Sequence, residues 1–180
     1  MTRCVLLLRA VNVGGTGRVG MAELRSALAE HTGLARIETY IQSGNIICDA
    51  PPVLTDTCAE VRALILRQFG INTPVIPRLH EQLVASVAAS SFGDPPAAVE
   101  TRVQAMFLEA PAHAGAIENL TPRLGDDEQL AMIGDDLWIR YGEGGAARTK
   151  LTKSVLDRAL GVAGTARNLR TVRELIARTA

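Results

Sequence analysis

Residues 6–47 read LLLRAVNVGGTGRVGMAELRSALAEHTGLARIETYIQSGNII, and the order of patterns in this stretch decides the fold. Residues 4–8 form an apolar run of strand length, closed by Arg9 before Asn12, Gly14, Gly15, Gly17 and Gly20 crowd the next connection. Met21, Leu24 and Leu28 then recur at helical spacing, with Glu23, Arg25 and Glu30 outside the stripe and Gly33 placed as a stop. Ile37, Thr39 and Ile41 alternate with Glu38 and Tyr40, residues 42–45 are turn formers, and residues 46–48 resume a strand. A four-residue turn sends the chain straight back, so a hairpin follows the helix.

Gly15, Gly17 and Gly20 spell G-x-G-x-x-G between a strand and a helix, and Glu38 lies about where an acidic ribose ligand stands in a dinucleotide fold. The topology argues against that site. A dinucleotide unit needs a crossover helix after its second strand, whereas this chain turns back, and the first glycine comes too late after the strand. Two readings of the glycines remain. They permit positive φ in a tight connection, or the loop amides and the helix N-terminus cradle an anion.

Working outward, Pro51 and Pro52 mark a loop, and Thr57 with Glu60 has the spacing of a capping box ahead of Val61, Leu64, Ile65 and Phe69. Gly70 ends that helix, and residues 71–76 form a β-rich run whose Pro74 suits an edge strand. The order strand, helix, strand, strand, helix, strand is a split βαβ arrangement. Residues 79–92 read as a linking helix, and residues 93–97, with two prolines, as the boundary.

The order then repeats. Strand 103–108, helix 111–120, a hairpin of 129–133 with 137–141, helix 151–160 capped by Gly161, and strand 162–167 follow in turn. Thr171 with Glu174 reads as the capping box of a terminal helix. The expected fold is α+β: tandem duplicated βαββαβ units of the ferredoxin-like kind sharing a compact core, plus a linking helix and a C-terminal helix. The first unit spans 1–77, the linking helix and loop 78–97, and the second unit 98–180.

LLRAVNVGG at residues 7–15, the helix start at 21–24 and TYIQSGNII at 39–47 closely resemble the signature of the bacterial family catalogued as domain of unknown function 1697. TARNLRTV at residues 165–172 resembles that family's C-terminal T-x-R-N-W-N-T-V pattern. The resemblance spans nearly the whole chain and implies a fold, but no activity comes with it. Ala10 stands where the family usually has glycine, and Leu169 and Arg170 replace its tryptophan and asparagine. No aromatic stacking surface beside Arg167 is therefore carried over.

A chain of 180 residues with 47% hydrophobic content fits one compact domain or two small ones sharing a core. The first apolar run is too short for a signal-peptide core or a membrane span, so a cytoplasmic protein with no membrane partner is expected. Cys4, Cys48 and Cys58 are unpaired in spacing and read as buried free thiols. His31, His80 and His113 are scattered, so neither a metal site nor a cofactor is implied. Between residues 109 and 143 eight acids face two arginines, and from 148 to 180 eight bases face Asp157 and Glu174. Such asymmetry hints at an anionic partner, although solvated faces and internal pairing are its commoner meaning.

No catalytic constellation stands out. Ser43 has no G-x-S-x-G context, and Asp135 with Asp136 has turn chemistry. What remains is a kit of guanidinium, amide and backbone donors suited to a phosphate or carboxylate. It comprises Arg9, Asn12, Gly14, Gly15, Arg18, Gln42, Ser43 and Asn45 in the first half, and Arg148, Lys150, Lys153, Arg167 and Asn168 in the second. The favoured partner is a phosphorylated small molecule or nucleotide held by residues 12–20. An acylphosphatase-like phosphohydrolase using Arg18 and Asn45 is the alternative, by analogy of fold. Nucleic acid is disfavoured, because aromatics are only 3% of residues and no base-stacking motif is present.

Overall fold

Arg3 followed by five apolar residues gives β1 (Arg3–Leu8), in which every residue from 4 to 8 is fully buried, as in a strand covered on both faces. The structure is a computed structural model and describes all residues except 1, 15, 16, 93 and 94. Beside β1 lie β2 (Glu38–Tyr40), β3 (Asn45–Asp49) and β4 (Val75–Leu79), in an antiparallel sheet of order β2-β3-β1-β4. Cys4 stands opposite Cys48 and Leu7 opposite Asn45, while Leu6 faces Pro77 of the edge strand β4. A proline is tolerated there because an edge strand leaves one side of its ladder unpaired.

β1 and β2 both run antiparallel to the β3 between them, and the helix α1 (Met21–His31) joins them as a split βαβ. The helix α2 (Leu54–Phe69) joins β3 to β4 in the same way around β1. Met21, Leu24 and Leu28 of α1 and Val61, Leu64 and Ile65 of α2 pack with Cys4, Leu6, Leu8, Ile46 and Cys48 in one core. All described strand pairings are antiparallel, so the sheet is not that of a dinucleotide-binding unit.

After α3 (His80–Ala88) come β5 (Val103–Leu108), α4 (Ala116–Leu120), β6 (Gln129–Ile133), β7 (Asp136–Arg140), α5 (Lys153–Leu160), β8 (Gly164–Asn168) and α6 (Leu169–Thr179). The second sheet has the order β6-β7-β5-β8, which matches the first strand for strand. Leu120, Leu156 and Leu160 from its helices pack with Met106, Leu108, Leu137 and Ile139. Two compact units result, Met1–Leu83 with Leu175–Ala180, and Val84–Glu174. The division falls within α3 and α6, and Gly93 and Asp94 of the expected boundary lie outside the described residues.

Within the first unit the end of α6 is tied down by charge. Arg3 Nη1 donates to the Arg178 carbonyl at 2.7 Å and its Nη2 to Glu38 at 3.0 Å. The Arg178 guanidinium lies 4.6 Å from the Tyr40 ring centre and 3.7 Å from Glu38, and Thr179 shares a 3.0 Å hydrogen bond with His80.

Several helix boundaries differ from the sequence expectation. α2 begins at Leu54, so Thr57 lies inside its first turn, its hydroxyl donating to the Val53 carbonyl at 3.0 Å, and no Thr57–Glu60 capping box forms. α6 begins at Leu169 because Asn168 caps it, Oδ1 accepting the Thr171 N–H at 2.8 Å, which puts Thr171 within the helix. α3 ends at Ala88 instead of reaching residue 92, and α4 starts only at Ala116, after Gly115 with φ +82°. Gly70 and Gly161 end their helices at φ +69° and +68° as expected.

The Cys4 and Cys48 sulfurs sit 3.6 Å apart as buried free thiols, and the hydrogen bond to Cys4, with burial, pushes the Cys48 thiol up. Tyr141 is 5% exposed, and burial, with the Glu128 charge nearby, raises its phenol to about 12. The folded value exceeds the unfolded one of about 10, so this stability is fully present below pH 10 and is lost as pH rises toward 12. Tyr141→Phe is expected to flatten the alkaline fall in melting temperature. An unchanged alkaline profile would contradict this assignment.

Candidate functional site

At the end of β1 the chain leaves the sheet through Ala10 and Asn12, both at positive φ, 53° and 55°. Asparagine tolerates that region, whereas at position 10 a glycine would adopt it without strain. Asn12 then holds the loop together. Its backbone N–H donates to the Gly17 carbonyl at 2.9 Å, and its Oδ1 accepts the Val19 N–H at 2.9 Å. Its Nδ2 donates to the Val19 carbonyl at 2.9 Å and to the Gln42 carbonyl at 2.8 Å, stapling the loop to the hairpin turn.

The turn itself is equally constrained. Tyr40 pairs with Asn45, and of the four residues between them Ile41 and Gly44 have φ of +49° and +78°. The Gly44 carbonyl accepts the Leu8 N–H at 2.8 Å. Asn45 is fully buried and its amide donates to the Tyr40 carbonyl at 2.8 Å and to the Ser43 hydroxyl at 3.3 Å. On the other side of the loop, the Thr73 hydroxyl accepts the Arg9 N–H at 3.1 Å and donates to the Arg9 carbonyl at 2.6 Å.

What faces outward is a smaller set. Arg18 and Gln42 are exposed, Arg9 and Ser43 are half-buried, and Gly14 is exposed at φ +63°. Gly15 lies outside the described residues. Arg18 makes no hydrogen bond or ion pair among the described residues. The start of α1 already carries an anion of its own: Glu23 folds back so that Oε2 would stand 2.7 Å from a Cβ on Gly20. Glu23 therefore already answers part of the positive end of the α1 dipole.

In the second unit the expected ligand residues divide differently. Arg167 is only 6% exposed, and its Nη1 donates to the Thr165 hydroxyl at 2.7 Å and to the Ala166 carbonyl at 2.9 Å. It stands opposite Ala105 and shares a sheet face with Thr165, while Met106 and Leu108 on the other face pack against the helices. Burial lowers its guanidinium to about 10, which leaves it charged at neutral pH. Asn168 is occupied as the cap of α6. Arg148 and Lys150 are exposed and line a cavity of about 200 Å³ together with Asp127, Glu128 and Glu143, so positive and negative charge alternate there. Lys153 pairs with Asp157 at 2.9 Å and Arg173 with Glu100.

Two contributors, Glu23 and Thr73, are absent from the residue set expected from the sequence. Glu23 had a signal, an acid in the first turn of a helix. Thr73 had none, because it lies 64 residues from the Arg9 it clamps.

The chain is similar to known proteins on two counts. The model of a family described as proteins of unknown function (DUF1697) matches residues 1–138. Among solved structures, a conserved bacterial protein from Streptococcus pneumoniae is similar at a TM-score of 0.73 and 24% identity, over 99% of this chain and 99% of that one. At that identity the likeness is one of fold. No curated protein matches.

Proposed function

The chain belongs to the DUF1697 family of proteins of unknown function, and from that premise we propose that it is a cytoplasmic module binding a phosphorylated or otherwise anionic small ligand at the loop after β1. The frame is read as a duplicated ferredoxin-like fold, supported by the matched strand orders β2-β3-β1-β4 and β6-β7-β5-β8. The observation that carries the binding proposal is Arg18. It is an exposed guanidinium with no partner among the described residues, set between Gly17 and Val19, both of which Asn12 holds by hydrogen bonds. A backbone already fixed on either side of Arg18 loses little freedom on binding, and a guanidinium fork matches phosphate oxygens. The phosphohydrolase alternative also needs Asn45, but that amide is buried and donates to Tyr40 and Ser43. Binding without hydrolysis therefore fits the geometry better.

Titration calorimetry against phosphate, nucleotides and sugar phosphates tests this. Arg18→Ala is expected to weaken the best ligand by about 1.5 to 3 kcal/mol, the range for a charge-assisted hydrogen bond, with the melting temperature unchanged. Equal affinity in wild type and variant, or no ligand at all, would overturn the proposal. Turnover of acetyl phosphate abolished by Arg18→Ala would favour the hydrolase instead.

A further inference from the structure

α5 turns Leu156 and Leu160 into the core, which leaves Ser154, Val155, Arg158 and Ala159 as a neighbouring stripe one helical turn long. Across from it, α4 and the 3-10 turn after it (Thr121–Arg123) present Asn119 and Arg123, which are four residues apart. These six residues line a groove of about 440 Å³. That volume lies within the range of about 300 to 1,000 Å³ typical of small-molecule sites.

The charge in this groove is unbalanced. Arg123 and Arg158 are both exposed, and neither makes a hydrogen bond or ion pair among the described residues. Among the described residues, no carboxylate lines the groove. Elsewhere in the same unit, Lys153 pairs with Asp157 and Arg173 with Glu100. Two unanswered guanidiniums around one cavity raise its potential and favour a doubly charged anion over a singly charged one.

We propose that the α4–α5 groove is a binding site for a small phosphate monoester. The guanidiniums of Arg123 and Arg158 take the phosphate oxygens in forked hydrogen bonds, and Asn119 and Ser154 add an amide and a hydroxyl. Val155 and Ala159, packed on the core beneath, receive the apolar body of the ester. All six residues belong to the second unit and Arg18 to the first, so this inference does not rest on the loop proposal.

Phenyl phosphate is the probe, followed by amide chemical shifts of the full chain, with inorganic phosphate and chloride as comparisons. Phenyl phosphate is expected to shift the amides of residues 119, 123, 154, 155, 158 and 159 and to bind more tightly than inorganic phosphate. Arg123→Ala and Arg158→Ala should each weaken it by about tenfold, corresponding to one charge-assisted hydrogen bond. Arg67→Ala, at an exposed arginine outside both proposed sites, should leave that titration unchanged. The side chains are exposed, so far-ultraviolet dichroism of the variants should match wild type. No shift at millimolar phenyl phosphate, equal shifts with chloride, or undiminished affinity in the double variant would each overturn the proposal.

Discussion

Gly44→Val is expected to cost about 4 kcal/mol of folding stability, read as a fall in the urea midpoint. Two terms contribute. The residue sits at φ +78°, where a β-branched side chain is strained by about 1 to 3 kcal/mol. A Cβ there would also stand 2.7 Å from Val11 Cγ2 and 2.8 Å from Leu8 Cβ. Leu8 and Val11 are both buried, and Leu8 Cβ is fixed to a central strand, so neither can give way cheaply. Overpacking of this kind costs about 1 to 3 kcal/mol more. Gly14→Ala is the comparison: φ is +63°, but a Cβ meets nothing within 4 Å, so only a backbone cost of about 1 kcal/mol is expected. Equal losses in the two variants would show that packing against Leu8 and Val11 plays no part.

Arg167→Ala is expected to destabilise by about 3 kcal/mol. Truncation strips hydrogen bonds from the buried Thr165 hydroxyl and the Ala166 carbonyl, and it removes the packing of a long side chain that is 6% exposed. Arg167→Met refills much of the volume without the donors, so it should recover part of the loss and separate the two contributions. Phosphate-ligand affinity, measured alongside, should not change. A stable Arg167→Ala that had lost ligand affinity would instead make Arg167 the ligand residue its place in the sequence suggests.

The strand order was legible because its signals are local. The apolar run of β1, the glycine in each hairpin and the alternation in residues 129–133 each report on a few neighbouring residues, and β6 spans Gln129–Ile133 as read. Helix starts were less legible. The S/T-x-x-E spacing of Thr57 with Glu60 and of Thr171 with Glu174 also arises inside a helix, where such residues are neighbours one turn apart. The true start of α2 at Leu54 follows Val53, which offers no side-chain cap and so no signal.

The site was legible as a set of residue types but not as a set of roles. Asn12, Asn45 and Asn168 look alike in sequence to amides waiting for a ligand. Each instead bonds a backbone group: the Gln42 carbonyl 30 residues away, the Tyr40 carbonyl, or the Thr171 N–H. Only the register of the sheet reveals which backbone group comes within reach. Arg123 falls in the acidic segment and Arg158 in the basic one, and their meeting at one groove follows from the packing of α4 on α5, which no local pattern encodes.

The placement of Leu175–Ala180 in the first unit sets a direction on how the chain can be assembled. A ribosome releases Arg3, Glu38 and Tyr40 before the second unit, yet the Arg178 carbonyl and guanidinium that meet them come only after it. All of Val84–Glu174 emerges in between, so that unit can close as soon as its own strands are out. The unit begun first is therefore finished second, and until then Arg3 and Glu38 have only each other, and the Tyr40 ring lacks the guanidinium that will cover it.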